Sequence, residues 1–342
     1  MMVAEDSAPL LNERLSLDSK IFRAAGGILV AISMLALSLV ASQRGMTFDT
    51  QNYRAYFYDC HYTRAQFEFF DEQHFEIGFQ LFTRGIATIT DSSEIYFFLV
   101  TLVSISLFVK GASNIGASRG LALAYFSCSL FPLLFLVQMR QGLADCMAFC
   151  GMTYFSNRKH GPALLLLVAA VTIHVSSAVV LLLVVAHGVM GNLRIPWWLS
   201  IAFIAIALCA GKILLYGTNW SRVTFYLLNP EYSGPADVFR LSSLKFVLVV
   251  GLAIVVFGFR NKAYALLILA CATGVLIRFV FYDNYAFSGR LGAHLTFAEV
   301  YLIPSMFSRW GYAATAIVFP AFCLLSLYYL LFIEHHHLVE LY

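Results

Sequence analysis

Long apolar runs separated by short polar stretches dominate the chain. The runs lie at 21–41, 94–109, 120–137, 141–156, 162–187, 195–216, 243–259, 263–282, 291–307 and 312–333. About 20 apolar residues carry a helix across a bilayer, and most runs approach that length. The run at 141–156 is short and that at 162–187 is long. The pattern predicts an all-α, polytopic membrane protein of about ten transmembrane helices. One membrane domain, 21–333, would lie between a polar N-terminal tail, 1–20, and a C-terminal tail, 334–342. The larger polar stretches are 42–93, 217–242 and 283–290. Residues 1–20 mix acids and bases instead of opening on the short basic stretch of a signal peptide, so 21–41 reads as a retained first helix.

Charge sets the parity of the crossings. The short connections at 110–119, 157–161, 188–194, 260–262 and 308–311 carry Lys110, Arg119, Arg158, Lys159, Arg194, Arg260, Lys262 and Arg309, and no acid. Short basic loops belong on the cytoplasmic side. A single crossing by 162–187 would put these loops on both sides. A re-entrant hairpin, with two short helices meeting near His174-Val175-Ser176-Ser177, keeps all of them inside, and its turn is acceptable where it is buried or lines a wet cavity. The other reading of this run is one long tilted helix. With the hairpin, the N-terminal tail is cytoplasmic, and 42–93, 217–242, 283–290 and the tip at His174 face outward.

Composition agrees with this picture. Of 342 residues, 60% are hydrophobic and 12% charged, with a mean hydropathy of +0.78, whereas soluble domains carry roughly 45–50% apolar and about 25% charged residues. A net charge of +3 without a basic cluster excludes a nucleic-acid partner. The seven Cys form no CxxC and no Cys/His group at zinc spacing, so neither a disulfide framework nor a metal site is expected. His335-His336-His337 lacks a partner at ligand spacing and reads as a solvated tail. No nucleotide-binding or common hydrolase motif is present, and nothing points to a cofactor.

Candidate chemistry gathers on the outward side. Asp49-Thr50-Gln51-Asn52-Tyr53 is followed by Tyr56, Phe57, Tyr58, Tyr62, Phe67, Phe69 and Phe70. Next, Phe75, Phe79, Phe82, Ile86 and Ile89 have the spacing of one face of an interfacial helix, with Glu76, Gln80 and Arg84 on another. An interfacial aromatic belt explains most of the rings but not Asp49 and Glu76 beside them. Arg140 begins a helix at the outer boundary, where a guanidinium either snorkels to headgroups or forks onto phosphate oxygens. Arg278, Arg290, His294 and Glu299 keep it company late in the chain. Ionisable groups in apolar helices usually face a bundle interior, although Arg278 or Arg290 pairing structurally with Glu299 or Asp145 is the plainer reading. His174 is either a helix-packing residue or, at a hairpin tip, a proton-handling group.

In order and placement these pieces resemble the EpsG family of bacterial polysaccharide polymerases, related to the Wzy O-antigen polymerases. The matching pieces are Asp49-Thr50-Gln51-Asn52-Tyr53, Phe75-Glu76-Ile77-Gly78-Phe79, Arg140-Gln141-Gly142-Leu143-Ala144, Ile173-His174-Val175-Ser176-Ser177-Ala178, and a late Arg290 opening a helix. They span roughly residues 45–310; stretch 217–242 contributes none.

The resemblance implies a multi-pass glycosyltransferase of the C-type architecture in the bacterial inner membrane. It would polymerise undecaprenyl-pyrophosphate-linked repeat units at the periplasmic face, for O-antigen, capsule or exopolysaccharide. Its partners would be the lipid-linked glycan, membrane lipid, and a flippase and chain-length regulator of the same pathway. The roles implied are pyrophosphate binding for Arg140 and Arg290 and proton acceptance for Asp49, with Glu76 and His174 as alternates. Substrate contacts would come from Arg278, Tyr53, His294 and Glu299. The rival classes are a lipid or polysaccharide transporter, for which no internal repeat is found, and a membrane O-acyltransferase, whose key groups should face the basic side.

Overall fold

The computed structural model describes residues 7–45, 47–63, 75–192, 197–216, 241–259 and 261–334. Phe67, Phe69, Phe70, His335–His337 and nearly all of 217–242 lie outside them. The described residues are helical, without a strand. The elements that bear on the site are α1 (Ser7–Ser42), α2 (Phe48–Tyr58), α3 (Ile77–Ala87), α4 (Ser93–Asn114), α5 (Arg119–Ser129), α6 (Phe131–Leu136), α7 (Met139–Ser156), α8 (His160–Ile173), α9 (Ala178–Asn192), α10 (Trp197–Tyr216), α11 (Leu241–Phe257), α12 (Lys262–Val280), α13 (Tyr285–Thr296), α14 (Glu299–Arg309) and α15 (Phe319–Tyr329).

Among the described residues, four stretches are long and apolar enough to cross a membrane: Ala24–Ser42, Ser93–Asn114, Lys262–Val280 and Ala314–Phe332. Four shorter apolar helices accompany them: His160–Ile173, Val175–Met190, Leu199–Lys212 and Ser243–Phe257. The protein is therefore a membrane protein; these four stretches fall short of the expected count of about ten spans, and two of the expected apolar runs are broken. The run at 120–137 breaks at Leu130, ahead of Pro132 at the start of α6. That at 291–307 breaks at Phe297-Ala298, so Glu299 opens α14 instead of lying mid-helix. The first helix also starts earlier than expected, at Ser7. It turns Ile28, Leu29 and Leu39 outward, as a lipid-facing helix does.

The run at 162–187 is a broken helix pair. α8 ends at Ile173, and His174 is extended (φ −151°, ψ 110°). Its carbonyl accepts from the Ser177 amide at 3.0 Å and from the Ser177 hydroxyl at 2.7 Å, closing a tight turn into α9. The limbs run antiparallel. His160, at the base of α8, packs against the Phe155 ring (5.2 Å between centroids). Gly188, near the end of α9, meets the same ring; a Cβ there would lie 3.2 Å from Phe155 Cζ. The run therefore turns back on itself, with His174 at the tip of the helix pair.

The basic connections close in groups. Asn157 Nδ2 donates to the Asn114 carbonyl at 2.7 Å and Asn114 Nδ2 to Thr153 Oγ1 at 3.1 Å, joining the ends of α4 and α7. Arg309 lies over the rings of Phe257 and Tyr264, joining the ends of α11 and α14 to the start of α12. At the opposite ends of α10 and α12, Lys212 Nζ donates to the Val280 carbonyl and to Asp283, both at 2.8 Å.

The stretch 42–93 is folded onto the bundle and contains α2 and α3. Tyr53, Phe57, Phe79, Ile86, Tyr96, Phe97, Val100, Met139, Leu143, Ala144 and Ile173 form one buried cluster joining α2, α3, α4, α7 and α8. The inward face of α3 is Phe79, Gln80, Thr83, Ile86 and Ala87. Gln80 is thus on the buried side, because its amide donates to the Phe75 carbonyl, while Ile89, beyond the helix, is 77% exposed.

Candidate active site

The hub is Glu76, the residue before α3. Its Oε2 takes a hydrogen bond from Arg140 Nη1 at 2.6 Å. Its Oε1 accepts from the Val175 amide at 3.2 Å and lies 3.3 Å from His174 Nδ1. One carboxylate thus joins three segments that are far apart in sequence. Each arrives for a local reason. The helix break at His174 releases the Val175 amide from helical bonding. Arg140 occupies the first turn of α7, where the helix dipole disfavours a cation, so an acid beside it offsets that cost. Gly78 lets α3 lie against the top of α8, because a Cβ there would come within 2.7 Å of the Thr172 backbone carbon.

Burial pushes the Glu76 carboxyl up, but the nearby His174 ring and the Arg140 charge outweigh it and hold the group at about 2. Asp49 behaves oppositely. It lies in the first turn of α2, whose start Thr47 caps by accepting from the Thr50 amide. Burial raises its carboxyl above the usual range, opposed by the charges of Arg140 and then Arg290. Asp49 therefore shares its surroundings with both arginines. Arg290 is exposed and lies in the second turn of α13, not at the helix start as the sequence suggests; α13 opens at Tyr285. Arg140 also lies over the Phe75 ring at 5.1 Å.

Tyr53 is 5% exposed, packed against Phe75 and Phe79. The sequence names it as a substrate contact; the structure places its ring in the buried cluster that joins α2, α3 and α4.

A second chain of polar groups adjoins the first. His294 is fully buried, with Nδ1 2.5 Å from Asp145 Oδ1 and Nε2 2.7 Å from Ser176 Oγ. Its ring centre is 5.4 Å from that of His174. Asp145 comes from α7, Ser176 from the hairpin tip and His294 from α13, so the row shares α7 and the hairpin tip with the Glu76 hub and adds α13.

Arg278 and Glu299 gather elsewhere. Lys245 Nζ donates to Glu299 Oε1 at 3.0 Å and lies 2.9 Å from Oε2 in an ion pair, and Arg278 and Lys245 both lie over the Phe246 ring. The acids suggested as partners for the late arginines are thus held by Lys245 and His294.

Sequence reasoning missed Ser176, which nothing distinguishes from its neighbour Ser177. It also missed Arg44, a 4%-exposed side chain that reaches Met139 Sδ at 3.3 Å and lies over Phe97 at 4.1 Å. Its position just after the first apolar run was the available signal.

Residues 27–339 match the EpsG family. The chain is a member of that family. EpsG proteins are associated with polysaccharide-polymerase activity of glycosyltransferase type, and three of the EpsG-like sequence pieces meet at Glu76, Arg140 and His174. No curated protein and no solved structure matches the chain. Among the described residues no group of His, Cys, Asp and Glu has the arrangement of a metal site.

Proposed function

We propose that this protein polymerises undecaprenyl-pyrophosphate-linked oligosaccharide repeat units at the periplasmic face of the bacterial inner membrane. A flippase and a chain-length regulator would be its pathway partners. The observation that carries the reading is the meeting of Arg140, Glu76 and His174, with Asp49 close enough to feel both Arg140 and Arg290. The basic connections, on the other ends of the helices, face the cytoplasm in this reading.

The transfer joins an acceptor hydroxyl oxygen to the anomeric carbon of the growing glycan. The bond from that carbon to the lipid pyrophosphate breaks, and the electron pair leaves with the phosphate oxygen. Arg140 and Arg290 hold the developing charge, since preorganised cations act most strongly where charge appears. Glu76 keeps the Arg140 fork aimed. Asp49 and His174 hydrogen-bond the acceptor and orient its hydroxyl. Apolar faces of the bundle hold the polyprenyl chain.

The test is the length distribution of surface polysaccharide in a deletion strain complemented with variants at matched protein levels. Arg140→Ala and Arg290→Ala should each leave single repeat units, because losing one donor at a developing charge costs about 100- to 1,000-fold in rate. Arg290→Lys should keep slight extension, with charge but no fork. Near-normal chains from both alanine variants would make these arginines headgroup anchors and end the reading.

A further inference from the structure

The acceptor's hydroxyl proton needs a destination. Glu76 is a poor one, because a carboxyl held at about 2 does not retain a proton near neutrality. His174 turns Nδ1 toward that same carboxylate. Asp49 lies among the charges that bind the leaving group. The row Ser176–His294–Asp145 has the geometry the other groups lack.

Asp145 is 1% exposed and lies against Nδ1, so the imidazole carries its proton there and Nε2 is an acceptor. Nε2 faces the Ser176 hydroxyl at 2.7 Å. His294 is sealed from solvent, whereas Ser176 is half-buried at the hairpin tip, next to exposed Val175. Substrate therefore reaches the imidazole through the serine. A carboxylate, an imidazole and a hydroxyl in this order also form the arrangement that activates serine hydroxyls on unrelated folds.

Resting on the polymerase reading, we infer that Ser176, His294 and Asp145 form the proton-accepting relay of the transfer. As the acceptor oxygen bonds to the anomeric carbon, its proton passes to Ser176 Oγ. The proton that Ser176 held passes to His294 Nε2, and Asp145 stabilises the resulting imidazolium. The lipid pyrophosphate departs with the electron pair of the broken bond, and His294 later returns its proton to solvent through Ser176. Ser176 is the catalytic residue. Asp145 is a positioning residue that fixes the tautomer.

The experiment separates turnover from binding in the purified protein. Turnover uses lipid-linked repeat units extracted from the deletion strain, and binding uses undecaprenyl pyrophosphate itself. Ser176→Ala should extend chains about 100-fold or more slowly, the typical contribution of a general base. Asp145→Asn preserves size but offers an amide donor to Nδ1, which moves the imidazole proton to Nε2; it should be as slow or slower. Both should bind undecaprenyl pyrophosphate within about threefold of wild type, since neither touches the pyrophosphate, and Ser176→Thr should recover much of the rate.

Wild-type turnover in Ser176→Ala or Asp145→Asn, with Arg140→Ala inactive, would overturn the relay and leave the polymerase reading standing. Binding lost in proportion to turnover would make the row a structural tie, which also overturns the relay. A wild-type protein that neither binds undecaprenyl pyrophosphate nor extends the extracted units would overturn both.

Discussion

Replacing Glu76 by glutamine keeps the shape of the hub and removes its charge. The carboxyl's ordinary value is 4.5, and the fold holds it at about 2. That gap corresponds to about 3 kcal/mol favouring the folded, ionised form. The contacts lead to the same order: the Arg140 hydrogen bond is short and charge-assisted, the side chains are 24% and 16% exposed, and such bonds contribute roughly 1.5–3 kcal/mol. Glu76→Gln should therefore destabilise the protein by about 2–3 kcal/mol at pH 7. Because the folded carboxyl titrates below the unfolded one, the stabilisation is complete above about pH 4.5 and fades as pH falls toward 2. Wild type should lose this increment in acid, and Glu76→Gln should not. Cys146 and Cys150 are free and buried in α7, so with Cys60, Cys128, Cys209, Cys271 and Cys323 replaced a thiol-reactive dye in detergent reports unfolding beside the hub. Arg140→Gln added to Glu76→Gln should cost less than Arg140→Gln alone, by a coupling of about 1–3 kcal/mol. The reasoning fails if Glu76→Gln melts with wild type and keeps the same decline in acid.

Other consequences are equally direct. Gly78→Ala forces α3 away from Thr172 and should cost about 1–3 kcal/mol in the same melts; unchanged stability would mean that α3 does not rest on the hairpin. In a cysteine-free background, an impermeant thiol reagent added to intact cells should label Ala286→Cys and spare Asn261→Cys; the reverse would invert the proposed sidedness. Chain extension should persist in excess chelator, because the proposed pyrophosphate binders are guanidinium groups; loss reversed by magnesium would reassign that task.

The fold was legible where polarity interrupted an apolar pattern. His174 stood out inside 162–187, and the acid-free connections required that run to turn back there. Breaks within apolar sequence were not legible: Leu130 and Phe297 resemble their neighbours, so hydropathy joined pieces that the fold separates. Individual candidate residues were legible as charges out of place, as with Asp49, Glu76, Arg140 and His294. Their partnerships were not. Glu76 and Arg140 are 64 positions apart, and Asp145 and His294 are 149 apart. No spacing rule reaches across such distances; only the packing of the folded chain brings these groups together. Ser176 carries no charge and interrupts no pattern, so its place beside His294 is visible only in three dimensions.

The shortness of the hairpin has a consequence for where the chemistry takes place. The 14 residues of α8 rise about 21 Å, whereas the hydrocarbon layer is about 30 Å thick. With its base at the inner boundary, the tip stops roughly 9 Å short of the outer one. On the proposed function and topology the reaction centre would be a well, not a ledge. A lipid-linked sugar would have to sink below the headgroups to reach it, and the bilayer's thickness would become part of the active-site geometry. In reconstituted membranes of increasing acyl length, turnover would register the depth of that well before any change in the protein's fold.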